Sequence, residues 1–374
     1  MDALWETPRT RRPGPPPMHI LDGGPLIPGT VLDAQEAGRL VFFCGAGVSF
    51  PNGLPLFSGL VRRVWQRFES VDIEKVLRKA KGKESKTKDS EGSAAKKPFD
   101  QALDQLGDRK FSDILASMLD DSYDRAMSCL ERHYGAKEVR EIVQQILLDP
   151  TDLDLGTHEA LLSLATTNQD DLQLVTTNFD HLFEEAKPDV RRCAAPTLLV
   201  PKPGKWDALV YLHGRIDGPG DPEGNHLVLN SADFGTAYLT ERWASRFLSE
   251  LFRNFTVVFI GYSLNDPVMR YLVDALAADR ELSKEFAREA FALVPHRNDT
   301  VFEEIEAEWK GKNVTPIPYH VPVSPDGSED HSLLHDTLRQ WAQLWSGGLN
   351  ARKNLAYELG RWRLFANGTM RFQY

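Results

Sequence analysis

The strongest constraint on the fold is a repeated pattern in which a short apolar run ends abruptly at glycine and small polar residues. LVFFC at 40–44 runs into GAGVS, and TVVFI at 256–260 runs into GYS. Runs this short and this continuously apolar are typical of strands that are covered on both faces of a parallel sheet. Helical patterns follow both loops, the second with Pro267 suited to a first turn. The sequence therefore predicts an α/β fold: a doubly wound, mostly parallel Rossmann-like sheet with its ligand site beyond the carboxyl ends of the strands.

Further segments supply the rest of this predicted sheet. The pattern predicts strands in DLQLVTTNFD, ALVYLHGRID, HLVLN, FALVPH and NVTPIPYHV, and a closing amphipathic helix in HSLLHDTLRQWAQLW. Residues 66–154 have helical spacing and predict a helical subdomain inserted into the larger fold. Within it, the Lys- and Ser-rich stretch 79–98 predicts a mobile loop.

These patterns divide the chain into three parts. Residues 1–29 are rich in proline and glycine and predict an N-terminal arm. Residues 30–345 form the predicted doubly wound domain, including its insertion. Residues 346–374 are a tail rich in arginine and aromatic residues, which we interpret as an assembly element.

Composition excludes several classes of protein. With 41% hydrophobic and 26% charged residues among 374, the chain can bury a real core. Its net charge of −10 argues against direct binding of nucleic acid. The three cysteines, Cys44, Cys129 and Cys193, form no C-x-x-C pair, which disfavours a zinc ribbon or a disulfide scaffold. Without a signal-like segment or a long apolar run, we expect a cytoplasmic protein that does not contact a membrane.

The turn after the first strand is a candidate phosphate-binding loop. In GAGVS, small residues let the backbone approach a phosphate closely, although a tight turn that simply needs glycine explains the segment about as well. Phe50 stands where a Rossmann fingerprint needs its third glycine, so a hydride-transfer dehydrogenase is disfavoured. The chain has no G-x-x-x-x-G-K-[ST] sequence, which argues against a P-loop ATPase.

Polar residues that could act on a sugar follow two further predicted strands. Asn178 and Asp180 lie in TTNFD, and His213 lies in LHG. A neutral imidazole can accept a proton near neutral pH, an amide can hold a hydroxyl or water, and a carboxylate can accept ribose hydrogen bonds. The alternative is structural: Asn178 and Asp180 as helix caps, and His213 as a satisfied core residue.

Together these motifs resemble a known family. GAGVS, then G-L-P-x-F at 53–57, TTNFD, HG and GYSL occur in the order of the NAD-binding motifs of sirtuins. Over roughly residues 38–345, the chain resembles the sirtuin-like (SIR2-like) NAD-hydrolysing domain of bacterial anti-phage defence systems. The TTNFD and GYSLNDP forms are most similar to that group.

The resemblance implies roles for individual residues. Two would be catalytic: Asn178 would position a ribose hydroxyl or water, and His213 would be the general base. The residues implied to bind NAD+ are Gly45, Ala46, Gly47, Ser49, Pro55, Phe57, Thr177, Asp180, Gly261, Ser263 and Asp266. NAD+ would be the substrate, and no metal is predicted.

The function implied is an NAD+ glycohydrolase that releases nicotinamide and ADP-ribose, as a gated effector that depletes NAD+ during phage infection. One alternative is an NAD-dependent protein deacylase, but such sirtuins usually carry two cysteine pairs for zinc after their HG motif. This chain has no cysteine between Gly214 and Phe255. Another alternative is a non-catalytic subunit that senses NAD or ADP-ribose. The resemblance also implies a homo-oligomer, with a HerA-like ATPase or a phage component as activator.

Overall fold

The computed structural model describes residues 16–81, 102–104, 106, 111–216, 226–262, 272, 288–297, 302–324 and 327–348. Several sequence predictions fall outside these residues. They are Ser263, Asp266, the first 15 residues of the predicted arm, most of the predicted loop 79–98, and the predicted tail beyond residue 348.

Strands and helices follow one another along the described chain, with a run of helices between β3 and β4. The strands are β1 (Met18–His19), β2 (Leu26–Ile27), β3 (Leu40–Cys44), β4 (Gln173–Thr176), β5 (Arg192–Ala194), β6 (Ala208–Tyr211), β7 (Thr256–Ile260), β8 (Ala290–His296) and β9 (Thr315–His320). The helices before β4 are α1 (Gly29–Glu36), α2 (Phe57–Phe68), α3 (Ile73–Ala80), α4 (Ser112–Leu119), α5 (Tyr123–Tyr134), α6 (Ala136–Leu147) and α7 (Gly156–Ala165). Those after β4 are α8 (Leu182–Ala186), α9 (Ser231–Gly235), α10 (Trp243–Asn254), α11 (Phe302–Gly311) and α12 (Ser332–Ser346).

Seven strands form one parallel sheet in the order β5-β6-β4-β3-β7-β8-β9. From β3 the chain builds outward through β4 and β6 on one side, then returns to build β7, β8 and β9 on the other. The strand order therefore reverses between β3 and β7, and in such sheets ligands bind at this reversal, outside the carboxyl ends of the strands. The predicted doubly wound α/β fold is confirmed.

The apolar strands form because both faces of the sheet are covered. Along β3, Val41 and Phe43 pack into one hydrophobic cluster with α10 and α11, while Leu40, Phe42 and Cys44 pack into another with α1, α7 and α12. Successive side chains of a strand point to opposite faces, so a strand between two helical layers must be apolar at every position. The Trp341 ring meets the Phe42 ring edge-on, with centroids 5.5 Å apart.

A third hydrophobic cluster lies among the helices between β3 and β4. It joins the buried faces of α2 to α6 and includes Phe179, Ile216, Leu227 and Leu229 from the segments that follow β4 and β6. The helices of this part of the chain therefore pack against the carboxyl end of the sheet. Whether the inserted unit is bounded at 66 and 154 stays a prediction.

The strand predicted in HLVLN is wrong. Residues 226–229 belong to no strand, and Val228 N–H donates to the carbonyl of His213 at 2.9 Å. Leu227 and Leu229 enter the helical cluster, while Val228 enters the cluster beneath α10. A segment lodged between two cores alternates its apolar side chains just as a strand does, so the two produce the same sequence pattern.

Among the described residues, no helix combines the length and the apolar character needed to span a membrane.

Two glycines allow the loops after β3 and β7 to touch. Gly261 has a φ of +75°, and a Cβ there would lie 2.7 Å from the nitrogen of Val48. A Cβ at Gly47 would lie 2.7 Å from Gly261 Cα. Both loops are at the strand-order reversal, so this contact shapes the ligand-binding edge of the sheet.

We expect Gly261→Ala to lower the free energy of unfolding by about 2 kcal/mol or more, because the left-handed backbone and the backbone clash both penalise a side chain. Denaturant titration monitored by circular dichroism measures it. The control is Gly235→Ala, where φ is −55° and no atom lies within 4 Å of the new Cβ. Equal midpoints for the two variants would contradict the close packing of the loops.

Candidate NAD-binding site at the carboxyl edge of the sheet

The glycine turn after β3 is fixed by the loop after β7. Gly45 N–H donates to the Ile260 carbonyl at 2.8 Å, and Gly47 N–H donates to the Gly261 carbonyl at 3.0 Å. Residues 46–48 form a short 3-10 turn whose amides at Val48 and Ser49 bond within the turn. These four amides are therefore engaged by the protein, and the glycines serve first to bring two backbones together.

The ends of β3 and β4 are joined through one carbonyl. The Cys44 carbonyl accepts the Thr177 N–H at 3.0 Å, the Thr176 hydroxyl at 3.2 Å and the Tyr262 hydroxyl at 3.1 Å. Thr177 Oγ1 and the Tyr262 hydroxyl are 2.6 Å apart. The segments after β3, β4 and β7 are thereby held in register, which sets where the following side chains point.

A pocket opens at this edge, with about 490 Å³ of space including its open mouth. It is lined by Ala46, Ser49, Leu54, Pro55, Phe57, Leu60, Leu147, Thr177, Asn178, Phe179 and Asp180. Its walls are mostly apolar and its polar groups come from the ends of β3 and β4. A mostly apolar cleft with a few fixed polar groups is the usual form of a small-molecule site.

The polar side chains of the pocket meet at the hydroxyl of Ser49, whose residue is 1% exposed. Asn178 Nδ2 donates to Ser49 Oγ at 3.0 Å, and His158 Nε2 lies 3.3 Å from the same oxygen. The Ser49 hydroxyl also lowers the pKa of the neighbouring Asp180 carboxyl. A hydroxyl has one hydrogen and two lone pairs, and one of these lone pairs accepts the Asn178 amide.

His158 does not line the pocket but contacts the pocket residue Ser49, and sequence reasoning missed it. It lies in the first turn of α7, is fully buried, and its ring meets the Phe183 ring edge-on at 4.8 Å. The sequence does contain a signal: His158 shares the spacing i, i+3, i+4, i+7 with Leu161, Leu162 and Ala165, which places it on the buried face of the helix.

Burial shifts the pKa of both ionisable groups beside Ser49. Loss of solvation raises the pKa of the Asp180 carboxyl, an effect that the hydrogen bond from Leu182 N–H at 3.1 Å opposes. Loss of solvation also lowers the pKa of His158 to about 4, so its imidazole is neutral at pH 7. The site therefore holds a neutral imidazole and a carboxyl group within one hydrogen-bonded cluster.

His213 lies apart from this pocket. It follows β6, the neighbour of β4, but its side chain is fully buried and is not among the residues that line the pocket. Its Nε2 lies 2.8 Å from the Tyr238 hydroxyl, and the Phe234 ring meets its ring edge-on at 5.3 Å. Burial lowers the pKa of His213 to about 3, so it is neutral at pH 7.

The structure therefore brings together one group of the predicted residues at the pocket: Ala46, Ser49, Pro55, Phe57, Thr177, Asn178 and Asp180. Gly45, Gly47 and Gly261 do not line the pocket; they form the contact between the loops after β3 and β7 that is described above. Among the residues described, no cluster of histidine, cysteine and acidic side chains could hold a metal ion.

The buried histidines predict how stability depends on pH. An unfolded imidazole titrates near 6.5, whereas folded His158 titrates near 4, so between these values the unfolded chain binds more protons. The contribution of His158 to the free energy of unfolding is then complete above pH 6.5 and decreases as the pH falls toward 4. At pH 5 we expect His158 alone to account for a loss on the order of 1–2 kcal/mol.

Denaturant titrations at pH 7 and pH 5 check this. Wild type should lose more stability between the two values than His158→Gln, which has no titrating ring. An identical loss in both proteins would show that His158 is not buried in its neutral form.

Two comparisons with known proteins found similar sequences. Residues 173–317 match the model of the SIR2-like domain, a range that includes Asn178, His213 and Gly261. The chain is also 29% identical over 331 residues to a protein of Sinorhizobium fredii (strain NBRC 101917 / NGR234) whose name is Uncharacterized protein y4cA. That alignment covers 86% of this chain and 24% of the relative, so the chain spans about a quarter of the relative's length.

SIR2-like domains are NAD-dependent enzymes, and the matched range contains the polar ends of β4 and β6 that the motifs singled out. The fold and the strand-order reversal point to the same edge of the sheet as the pocket. The segment 173–317 of this chain is similar to SIR2-like domains.

Proposed function

We propose that this chain hydrolyses NAD+ between nicotinamide and ribose, releasing nicotinamide and ADP-ribose. The observation that carries the proposal is the Ser49 cluster, in which Asn178 and Asp180 line one pocket beyond the carboxyl ends of β3 and β4, next to the strand-order reversal. An amide and a carboxyl group held in a mostly apolar pocket can orient a ribose and act on the charge that develops there.

The leaving group in this reaction does not need to be protonated by the protein. While it is attached to ribose C1′ in NAD+, the nicotinamide ring is a positively charged pyridinium. When the C1′–N bond breaks, the ring nitrogen keeps the electron pair and nicotinamide leaves as a neutral molecule. The ribose then develops oxocarbenium character, which the Asp180 carboxylate would stabilise by charge. Asn178 would hold the water or a ribose hydroxyl. Water adds to C1′, and the balance is NAD+ plus water to nicotinamide, ADP-ribose and one proton.

His213 would accept that proton. Its neutral form at pH 7 is the form that a base requires. Because its side chain is fully buried and its ring packs against Phe234, the proposal requires that this Phe234 cover move when NAD+ binds. Catalytic contacts are often incomplete before substrate binds, so the separation is compatible with the role.

The cysteines support hydrolysis over deacylation. The chain has three cysteines, and none lies between Gly214 and Phe255, where deacylating sirtuins usually have two pairs. Of these three, Cys44 and Cys129 are buried and Cys193 lies before β6. We therefore place the reaction on NAD+ and water rather than on an acyl-lysine peptide.

We further propose that the activity is gated and serves anti-phage defence by depleting NAD+, in a cytoplasmic homo-oligomer activated by a HerA-like ATPase or a phage component. The support is the motif resemblance, together with the covered position of His213, which would keep the resting enzyme slow. Residues beyond 348, the proposed assembly element, lie outside the described part of the chain.

We expect the purified protein to release nicotinamide from NAD+ without any peptide, and Asn178→Ala to lower kcat by about 100-fold or more, as loss of one preorganised polar group does elsewhere. Chromatographic quantification of nicotinamide and ADP-ribose measures both. The control is Asn168→Ala, an exposed asparagine between α7 and β4 at the opposite edge of the sheet, whose release should match wild type.

Each other outcome contradicts the proposal in a different way. Release that requires an added acyl-lysine peptide would identify a deacylase. NAD+ binding by calorimetry without release, even with an activating partner present, would identify a sensor. Equal rates for Asn178→Ala and wild type would remove Asn178 from the reaction.

In a bacterial host infected by phage, we expect cells that express the wild type to lose NAD+ and limit phage yield, because uncontrolled hydrolysis empties the pool. Cells that express Asn178→Ala should keep both NAD+ and phage yield. Phage restriction with constant NAD+ would contradict the defence proposal while leaving the enzyme assignment intact.

A further inference from the structure

The partner of His213 is a tyrosine that the motifs did not identify. The Tyr238 hydroxyl lies 2.8 Å from His213 Nε2, and the two rings meet edge-on with centroids 5.9 Å apart. His213 Nδ1 is buried and has no hydrogen-bond partner among the described residues. The two nitrogens of the His213 ring therefore differ: Nε2 has a hydrogen-bond partner, and Nδ1 has none among the described residues.

Tyr238 is itself fixed by its surroundings. It lies in a π-helical turn, Thr236–Thr240, and is 6% exposed. Its carbonyl accepts the Ser245 hydroxyl at 2.7 Å. Single π-helical turns are uncommon and often occur at functional sites, because the wider turn redirects a side chain.

Helix α9, which precedes Tyr238, is held to the helical cluster by ion pairs. Arg140 of α6 bonds to Asp233 at 2.7 Å and to Glu131 of α5 at 3.1 Å. Asp233 also caps the start of α9 together with Asn230. These contacts hold α9, which leads directly into the π-helical turn, and so they set where the Tyr238 hydroxyl lies.

We propose that Tyr238 is a positioning residue for His213, whose phenol oxygen accepts the Nε2–H and so leaves Nδ1 as the nitrogen that takes a proton. The inference deepens the proposed function and rests on it. A base must present a lone pair, and with Nε2 engaged by Tyr238 the vacant nitrogen is Nδ1. The hydrogen on Nε2 then fixes the tautomer, as a hydrogen bond to the second nitrogen does for other histidines.

The same contact assists the proton transfer. When Nδ1 accepts a proton from water or from a ribose hydroxyl, the ring becomes a cation and its Nε2–H becomes a stronger donor. A hydrogen bond to a charged group is worth roughly twice one between neutral groups. Tyr238 therefore stabilises the imidazolium more than the neutral ring, in a position where burial otherwise disfavours charge.

The tautomer is measured by ¹⁵N NMR on protein labelled at histidine, with the His213 signals assigned from the spectrum of His213→Gln. In wild type we expect Nε2 to carry the hydrogen and Nδ1 to have the shift of an unprotonated nitrogen. In Tyr238→Phe the ring loses its partner, and we expect a mixture of the two tautomers. The matched control is Tyr319→Phe, which removes the hydroxyl of another buried tyrosine bonded to a histidine, 2.8 Å from His331 Nδ1.

The kinetic test separates positioning from a structural role. We expect Tyr238→Phe to lower kcat about tenfold, equivalent to about 1.4 kcal/mol, while KM stays within about twofold. Tyr319→Phe should leave both constants at wild-type values. Because a phenylalanine preserves the ring packing, the melting temperature should change little.

Two results would overturn the inference: a wild-type His213 protonated on Nδ1, or an unchanged tautomer and kcat in Tyr238→Phe. A raised KM with unchanged kcat would do so as well, since it would give Tyr238 a role in binding. If wild type released no nicotinamide under any condition, the proposed function would fail, and the tautomer spectra would still decide the direction of the Tyr238 hydrogen bond.

Discussion

The whole ligand-binding edge depends on one backbone contact, the approach of the turn after β3 to Gly261 after β7. Atoms of the two backbones come so close that neither Gly47 nor Gly261 has room for a Cβ. The contact holds Tyr262 over the carboxyl end of β3, where its hydroxyl reaches both Thr177 and the Cys44 carbonyl. Through Thr177 it also fixes the start of the segment that carries Asn178 and Asp180.

Two buried histidines are held at this edge by different means. His158 belongs to a cluster that satisfies its Nε2 through Ser49, in direct contact with the pocket side chains. His213 has an aromatic cover and a single side-chain partner at Nε2, the Tyr238 hydroxyl. Both are neutral at pH 7 because burial disfavours the cation. Each ring also has a buried Nδ1 without a hydrogen-bond partner among the described residues, so the two histidines differ in what their Nε2 contacts: the pocket serine for His158 and Tyr238 for His213.

The strands of the sheet and the polar residues that follow β4 could be predicted from the sequence, because both depend on local patterns. A strand buried on two faces is continuously apolar, and a polar residue at its carboxyl end must lie at the ligand edge, so β3, β7, Asn178 and Asp180 could be identified in advance. His158 could not be linked to Ser49, since 109 residues separate them and only packing of α7 on the sheet brings them together. HLVLN was misassigned because a segment between two cores alternates like a strand. The contact between Tyr238 and His213 could not be predicted, because no sequence pattern predicts a π-helical turn at 236–240.

The distance between the pocket and His213 has a consequence for control. An enzyme that destroys NAD+ must have a low resting rate, and a site whose polar groups are assembled while its base stays covered meets that condition. The cover is Phe234 of α9, and the Arg140, Glu131 and Asp233 contacts tie that helix to the helical cluster, while the Phe234 ring itself packs in the hydrophobic cluster that includes Val41 and Phe43 of the sheet. A partner that shifts α5 or α6 would therefore act on His213 without touching the pocket. Under the proposed function, the helices inserted between β3 and β4 are the part of the fold through which the cover of His213 would be moved.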